Sequence, residues 1–455
     1  MDQSQRPNVP AGQQGTARTR SVASTKAAAP MVHAPSTDVP LRFAVTGMAA
    51  LVLGVCWLAL RPDILATYHY NQYVVAVTHL FTLGFVCSVI MGAMYQLVPV
   101  ALETSLYSER LARWQFGFHV IGLAGMVWKF WVWDMTQVGH FATVFACGVG
   151  MFVYNVGRTI RRAPRFDLIA LGLTSALGWL SLTVIAGLYL AAAKCWNFSP
   201  FGAMAQMHAH AHVGVIGFFV MMIVTVSYKL VPMFALSDVQ NQRRARASIW
   251  LLNAGLAALA TAILLQSPWK LGASWVVILG LVLYVLELRA IFTARKRRAV
   301  DWGLRYFFTA VAFLVPECVL AVVLCWPGLP ATLVTTQLET VYGLLAILGV
   351  VGLSILGFSY KILPFLVWYR VYGDEVGKHK VPSLAQMYSA RLQAVIYWLW
   401  LPGLAAVSIS TALGSEAAVR ASVGLLIAGL VLHMINAGMI LSHLWSPRFD
   451  GSTQT

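Results

Sequence analysis

Long apolar stretches alternate with short polar segments along nearly the whole chain. A bilayer core needs about 20 consecutive apolar residues per helix, and each of these stretches is long enough. The pattern therefore predicts an all-α fold, a polytopic membrane protein with twelve transmembrane helices. They are expected near residues 42–60, 73–99, 114–133, 138–157, 167–193, 208–234, 247–266, 271–294, 305–326, 338–366, 391–412 and 418–444.

Three of the predicted helices have related sequences, which indicates an internal repeat. Helices 2, 6 and 10 read HLFTLGFVCSVIMGAMYQLVP, HVGVIGFFVMMIVTVSYKLVP and LLAILGVVGLSILGFSYKILP. Tyr95, Tyr228 and Tyr360 recur at intervals of 133 and 132 residues, and so do Pro99, Pro232 and Pro364. We expect the tyrosine to anchor each helix at the membrane surface and the proline to end it. The period predicts three pseudo-symmetric four-helix units over residues 41–164, 165–303 and 304–446.

The charged residues decide the expected orientation. Only 11% of residues are charged, against about 25% in a soluble domain. The 32 Lys and Arg give a formal net charge of +16, but they collect in alternate loops such as 295–298, which is the positive-inside pattern. We therefore expect a lipid bilayer and no nucleic acid as the partner. We also expect a bacterial inner (cytoplasmic) membrane, both termini in the cytoplasm, a disordered tail over residues 1–40 and a short tail over 447–455.

Histidines at the start of two related helices are the first candidates for chemistry. Ionisable side chains inside a membrane are costly, so they are functional hypotheses by default. His79 and His212 occupy equivalent positions of helices 2 and 6, and the third equivalent is Leu344. Two imidazoles at equal depth on neighbouring helices are typical of the axial ligands of one haem b. The alternative is a pair of interfacial histidines bonded to backbone or lipid headgroups.

The segment MHAHAH that opens helix 6 is a candidate metal site. Helical geometry places His208 and His212 on one face and His210 roughly opposite. Together with Met207, and with His140 at the same end of helix 4, they form a mixed imidazole and thioether set that suits copper. The alternative is a polar entry to the helix. The sequence identifies no catalytic residue.

This arrangement resembles the haem–copper oxidase subunit I superfamily, which includes cytochrome c oxidases and nitric oxide reductases. The resemblance spans roughly residues 41–445 and rests on the three-times-four helix plan and the histidines. It implies that His79 binds a low-spin haem and that His208, His210 and His212 lie where that family places a copper ligand. The chain is also similar to a bacterial haem- and copper-containing membrane family of the nitric oxide response, through its His-x-x-x-x-Gly helix starts.

The sequence departs from the superfamily in two places. That family needs two histidines on helix 10, where this chain has none. It also needs a histidine pair near the start of helix 7, where this chain reads RRARASIWLLNAG. A full oxygen-reducing centre is therefore not expected. We expect an oxidase-like haem protein, with copper as a second candidate cofactor, that transfers electrons or binds a small gas such as NO or O2 beside a cytochrome c or another respiratory subunit. The alternatives are a non-redox protein for copper or haem handling or respiratory-complex assembly, and a structural subunit whose ligands have decayed.

Overall fold

The computed structural model describes residues 36–449, and this part of the chain is helical without a β-strand. Residues 1–35 of the predicted 1–40 tail and residues 450–455 of the predicted 447–455 tail lie outside the described residues, and a helix already begins at Asp38. All twelve predicted helices are present, and we number them α1 to α12. They are Asp38–Leu60, Gln72–Ala101, Glu109–Trp131, Met135–Arg161, Leu168–Trp196, Ala203–Ala235, Gln242–Leu264, Lys270–Thr293, Trp302–Leu324, Leu333–Glu375, Ala390–Ala412 and Glu416–Ser442.

Eleven of these helices are long and apolar enough to cross a membrane, so the chain is a multi-pass membrane protein. The exception among the described helices is α3, which is as long as α1 but less apolar. Its terminal turns carry Glu109, Arg110 and Lys129, and its middle carries the buried Gln115 and His119. Both buried side chains bond to hydroxyls of α2, Gln115 to Tyr95 at 3.3 Å and His119 to Ser88 at 2.8 Å.

Helices α2, α6 and α10 form the centre of the bundle. In their most apolar stretches 67%, 72% and 83% of residues are buried, whereas the other eight membrane-spanning helices range from 22% to 44%. Each central helix contains an eight-residue π-helical segment, at Leu80–Cys87, Val213–Val220 and Leu345–Gly352. These segments recur at the same intervals of 133 and 132 residues as the sequence motif. The segment of α10 contacts those of both α2 and α6.

A repeated backbone contact ties the third helix of each unit to the fourth. A side-chain oxygen of the fourth helix accepts a hydrogen bond from the backbone N–H of the residue that caps the third helix. The pairs are Asn155 with Ser108 at 3.0 Å, Glu287 with Asn241 at 2.9 Å, and Asn436 with Ser389 at 2.8 Å. The three acceptor residues are fully buried, where an unpaired backbone N–H would be costly. The same bond in all three units supports the four-helix repeat.

Two expectations about the repeated Tyr-x-x-x-Pro motif are wrong. Tyr95, Tyr228 and Tyr360 are buried rather than anchored at the membrane surface. Their hydroxyls are bonded inside the bundle, as in the 2.9 Å contact of Tyr228 with Ser248, so lipid headgroups are not needed as partners. The helices also continue past their prolines, to Ala101, Ala235 and beyond Pro364 to Tyr372, because proline removes a single N–H donor without forcing the chain to stop.

Close packing of α3 on α4 depends on Gly122. A Cβ at this position would lie 2.5 Å from the backbone nitrogen of Phe145 and 2.7 Å from its Cα, and neither backbone atom can move aside. Gly122→Ala should therefore lower stability by about 1–3 kcal/mol through overpacking. Thermal unfolding of the purified protein measures this loss. Gly150→Ala on α4 is the matched control, because open space surrounds Gly150, and its melting temperature should not fall. Equal melting temperatures for the two variants would contradict the packing.

Candidate functional site

A cavity of about 740 Å³ lies at the end of the bundle where α2, α6 and α10 begin, which we call the histidine end. This volume is within the range of about 300–1,000 Å³ of ligand pockets. Most of the wall is apolar, but five histidines border the cavity: His69, His79, His208, His210 and His212. The structure thus brings four of the five predicted histidines together, from two helices of different units.

The π-helical segments explain why His79 and His212 reach this cavity. Each histidine is the residue directly before the π segment of its helix, and Leu344 holds the same place in α10. A π turn changes the direction in which neighbouring side chains point and is frequent at functional sites. Leu344 also borders the cavity, so the three repeat-equivalent positions all face one space. No feature of the sequence signalled these turns.

The ring of His79 has a defined orientation. Its Nδ1 lies 2.8 Å from the carbonyl oxygen of Val75 in the preceding turn, and the ring stacks on Phe130 with centroids 4.5 Å apart. When Nδ1–H donates to this carbonyl, Nε2 carries the free lone pair. Histidines that bind metals commonly donate their other ring N–H to a carbonyl in this way. The chain therefore presents His79 in the tautomer that a metal ligand needs.

His212 shows the same arrangement in the second unit. Its Nδ1 lies 2.7 Å from the carbonyl oxygen of His208, and its Nε2 is 3.5 Å from the hydroxyl of Tyr342 on α10. The i−4 carbonyl contact thus recurs at both repeat-equivalent histidines. No contact among the described residues joins His212 to His79. The pairing of these two as ligands of one haem remains a prediction.

His210 also borders the cavity, on the side of α6 that packs against α5. Its ring lies against Gly187 of α5, where an added Cβ would be only 3.2 Å from Cε1. The absence of a side chain at Gly187 therefore makes room for the imidazole. His210 points away from His208, as the helical spacing predicts, yet both border the same cavity. The structure thus makes His210 a second candidate partner for His79.

His69, His208 and Glu339 form a second group at the rim. The Nε2 atoms of the two histidines are 3.4 Å apart, and the rings stack at 5.6 Å with an interplanar angle of 24°. His69 Nδ1 lies 3.6 Å from Glu339 Oε2. One ligand atom from each residue can be chosen so that all three lie within 4.8 Å of one another. Burial lowers the pKa of His69, which lies in the loop between α1 and α2, and this favours the neutral imidazole.

The loop that carries His69 is held at several points. Asn71 caps α2 by accepting the N–H groups of Tyr73 and Val74, and it donates to the Tyr68 carbonyl at 2.7 Å. From α10, the buried Gln337 donates to the Ala66 carbonyl at 2.9 Å. These bonds fix the backbone on both sides of His69. Gln337 is two residues before Glu339, so the same turn of α10 holds the loop and supplies the carboxylate.

A bidentate ion pair stabilises the start of this loop. Arg61 donates to both carboxylate oxygens of Asp63, at 2.9 and 2.7 Å, and its guanidinium lies 4.6 Å from the centre of the Tyr73 ring. The hydrogen bond from Arg61 lowers the pKa of Asp63, which therefore stays ionised at neutral pH. The pair is partly exposed, so it orients the loop more than it stabilises the fold.

Two further predicted ligands have different outcomes. Met207 borders the cavity, as does Met204, whose sulfur accepts a hydrogen bond from Tyr68 at 3.3 Å. His140 is exposed and is not part of the cavity wall. The wall residues of α4 include Val138 and Ala142, and a residue two positions from Val138 points roughly 200° away on a helix. His140 therefore cannot join the other histidines without unwinding α4.

Histidines deeper in the bundle have packing roles. His119 Nε2 lies 2.8 Å from Ser88 Oγ, and His443 Nδ1 lies 2.7 Å from the hydroxyl of Tyr372. His433 likewise contacts the Tyr360 hydroxyl at 3.1 Å. None of the three borders the cavity. These contacts separate the structural histidines from those at the histidine end.

The fold has a counterpart among solved structures. The chain is similar to a chain of a haem–copper terminal oxidase dimer solved by cryo-EM, with a TM-score of 0.59 and 13% sequence identity. The match covers 90% of this chain and 82% of that chain. This protein is therefore a multi-pass helical membrane protein with a haem–copper-oxidase-like fold. No protein-family model and no curated protein matches the sequence.

Proposed function

We propose that this protein is an oxidase-like haem b protein that transfers electrons or binds a small gas such as NO or O2. The observation that carries the proposal is the orientation of His79 and His212. Both donate Nδ1–H to a carbonyl of their own helix, which directs the lone pair of Nε2 to the cavity, where His212 Nε2 is 3.5 Å from the Tyr342 hydroxyl. Copper at His208, His210, His212 and Met207 is a further part of this proposal, and His140 is dropped from the ligand set because it is exposed.

The cavity fits a haem in three respects. Its volume of about 740 Å³ and its mostly apolar wall suit a large, flat, apolar macrocycle. The ring of Phe130, which stacks on His79, adds an aromatic surface beside one ligand. Lys194 and Lys270 border the cavity and supply cations for the propionate groups. When bound, the haem iron would supply one-electron redox chemistry, and with His79 as its one histidine ligand it could instead bind a gas.

The residues around the proposed haem site have distinct roles. His79 would hold the iron from α2, and His210 or His212 would hold it from α6. The Val75 and His208 carbonyls keep the two rings in the ligating tautomer. Tyr342 stands beside His212 Nε2 and is a hydrogen-bond donor at the cavity wall. The mostly apolar wall would lower the dielectric constant around any charge at the iron.

Complete oxygen reduction is not part of the proposal. Helices α7 and α10 contain no histidine, and Leu344 lies where a third repeat-equivalent histidine would stand. The residues that remain provide imidazoles from α2, α6 and the loop of His69. This set supports electron transfer or gas binding beside a cytochrome c or another respiratory subunit. The competing proposal is a non-redox protein for copper or haem handling, which the separate group of His69, His208 and Glu339 favours.

Haem binding through His79 is directly testable. The purified protein should show haem b bands in a reduced-minus-oxidised spectrum. His79→Ala should remove most of this signal, because no other side chain of α2 offers an imidazole to the cavity. His210→Ala and His212→Ala made in parallel identify the second ligand, since the spectrum should be lost in one and kept in the other.

His140→Ala is the matched control for these variants, because it removes an exposed histidine at the same end of the bundle. Its haem content should equal that of the unmodified protein. Monodisperse protein without haem bands would contradict the proposal, and metal without haem in the same preparation would favour the handling role. A haem content that His79→Ala leaves unchanged would exclude the assigned ligand.

We further propose that the histidine end faces the periplasm of a bacterial inner membrane and that both termini are cytoplasmic. Cys195, at the end of α5, is exposed at this end. In intact cells a membrane-impermeant maleimide should label it, and Cys195→Ser should abolish labelling. A second variant, Cys195→Ser with Arg298→Cys in the opposite loop, should be labelled only after the membrane is permeabilised. The reverse pattern would invert the proposed orientation.

A further inference from the structure

We propose that His69, His208 and Glu339 bind a divalent first-row transition-metal ion at the rim of the cavity. This metal site is separate from the proposed haem ligands, and it replaces the copper set proposed above as the assignment of His208. It joins three parts of the chain: the loop before α2, the first turns of α6 and the first turns of α10. The proposal does not rest on haem binding, because none of its three side chains is assigned to the haem.

The distances match those between ligands that share a metal ion. Bonds of about 2.1 Å in a tetrahedral site place the ligand atoms roughly 3.4 Å apart. The two histidine Nε2 atoms are 3.4 Å apart, and when each residue supplies one ligand atom all three atoms lie within 4.8 Å of one another. A direct hydrogen bond has a donor–acceptor distance of about 2.7–3.2 Å. The spacing of the two histidines is therefore wider than an ordinary hydrogen bond and fits two ligands of one ion, and a carboxylate oxygen of Glu339 lies within reach as the third.

The arrangement of the side chains also suits a metal site. The rings of His69 and His208 lie beside each other and nearly parallel, so both present a nitrogen to the same space. Among the described ion pairs, Glu339 contacts His69 and no lysine or arginine. Lys270 also borders the cavity, but its ammonium donates to the Leu324 carbonyl of α9 at 3.4 Å. The carboxylate of Glu339 is therefore available as a ligand.

The donor set defines the class of ion. Two imidazole nitrogens and one carboxylate oxygen are typical of Zn²⁺ sites with an open position and of non-haem Fe²⁺ sites with open positions. The carboxylate of Glu339 is one-third exposed, so water or a small ligand can reach the remaining positions. The loop bonds from Asn71 and Gln337 hold His69 in place before any ion arrives. Such preorganisation lowers the cost of binding.

One structural link connects this site to His212. The His208 side chain belongs to the metal group, whereas its backbone carbonyl accepts the Nδ1–H of His212. Occupation of the metal site would fix the first turns of α6 and thereby the carbonyl that orients His212. The test therefore uses side-chain changes that leave this carbonyl in place.

Co²⁺ is the probe, because its visible spectrum and its mass-spectrometric signal both report binding. The full-length protein is purified with Cys195→Ser in every variant, so that this exposed thiol does not compete, and is treated with a chelator. The starting protein and its His140→Ala control should each bind one Co²⁺ per chain. His69→Ala and Glu339→Gln should weaken binding by about tenfold or more, since even loss of an outer-shell partner costs that much. Haem content, measured on the same samples, should not change.

Cu²⁺ titration adds a structural readout. Electron paramagnetic resonance of the bound ion should show coupling to two imidazole nitrogens, and to one nitrogen in His69→Ala. Glu339→Gln keeps the shape of the side chain, so it tests the site even if His69→Ala does not fold. Unchanged Co²⁺ affinity in Glu339→Gln, or equal loss in His140→Ala, would mean an adventitious ion only and would overturn the proposal.

Discussion

The candidate site depends on one hydrogen bond, from an imidazole Nδ1–H to the carbonyl four residues earlier in the same helix. In the low-dielectric interior of a membrane protein an unpaired ring nitrogen is costly, so this bond is a stable solution for a histidine near a helix start. It also selects the tautomer and the direction of the other nitrogen. His79 and His212 both make it, at 2.8 and 2.7 Å, and both then face the cavity. Local backbone geometry thus prepares the site before any cofactor enters.

The features that the three four-helix units share form the frame around that site, and the residues in which the units differ give the site its chemistry. The buried bonds from Asn155, Glu287 and Asn436 to the caps of the third helices are the same device in three units. These bonds lie at the end of the bundle opposite the histidine end, and none of their residues borders the cavity. At the histidine end the units differ: two supply imidazoles, whereas α10 supplies Leu344 and Tyr342. The contacts repeated in all three units therefore specify the fold, and those that differ between units specify what the fold can bind.

The sequence was sufficient to predict the helices and the repeat interval, because the length of an apolar stretch and the recurrence of a motif can both be seen in the sequence alone. It also predicted that His79, His208, His210 and His212 lie together, since helix direction sets their depth. It could not predict the π turns, nor the contact of His69 with His208, which are 139 residues apart, and with Glu339. His140 shared the depth but not the helix face. The repeated tyrosines were assigned to the membrane surface because hydroxyl partners such as Ser248 become visible only after folding.

Leu344 affects which molecules the cavity wall favours. Where pseudo-symmetry would place a third base, the wall carries a buried hydrocarbon side chain next to the apolar core of α10. Ions and hydrated solutes gain nothing on that side, whereas uncharged diatomic molecules dissolve readily in hydrocarbon. The part of the wall formed by Leu344 therefore favours small uncharged molecules over ions. Among the described wall residues, Lys194 and Lys270 supply the positive charge of the cavity.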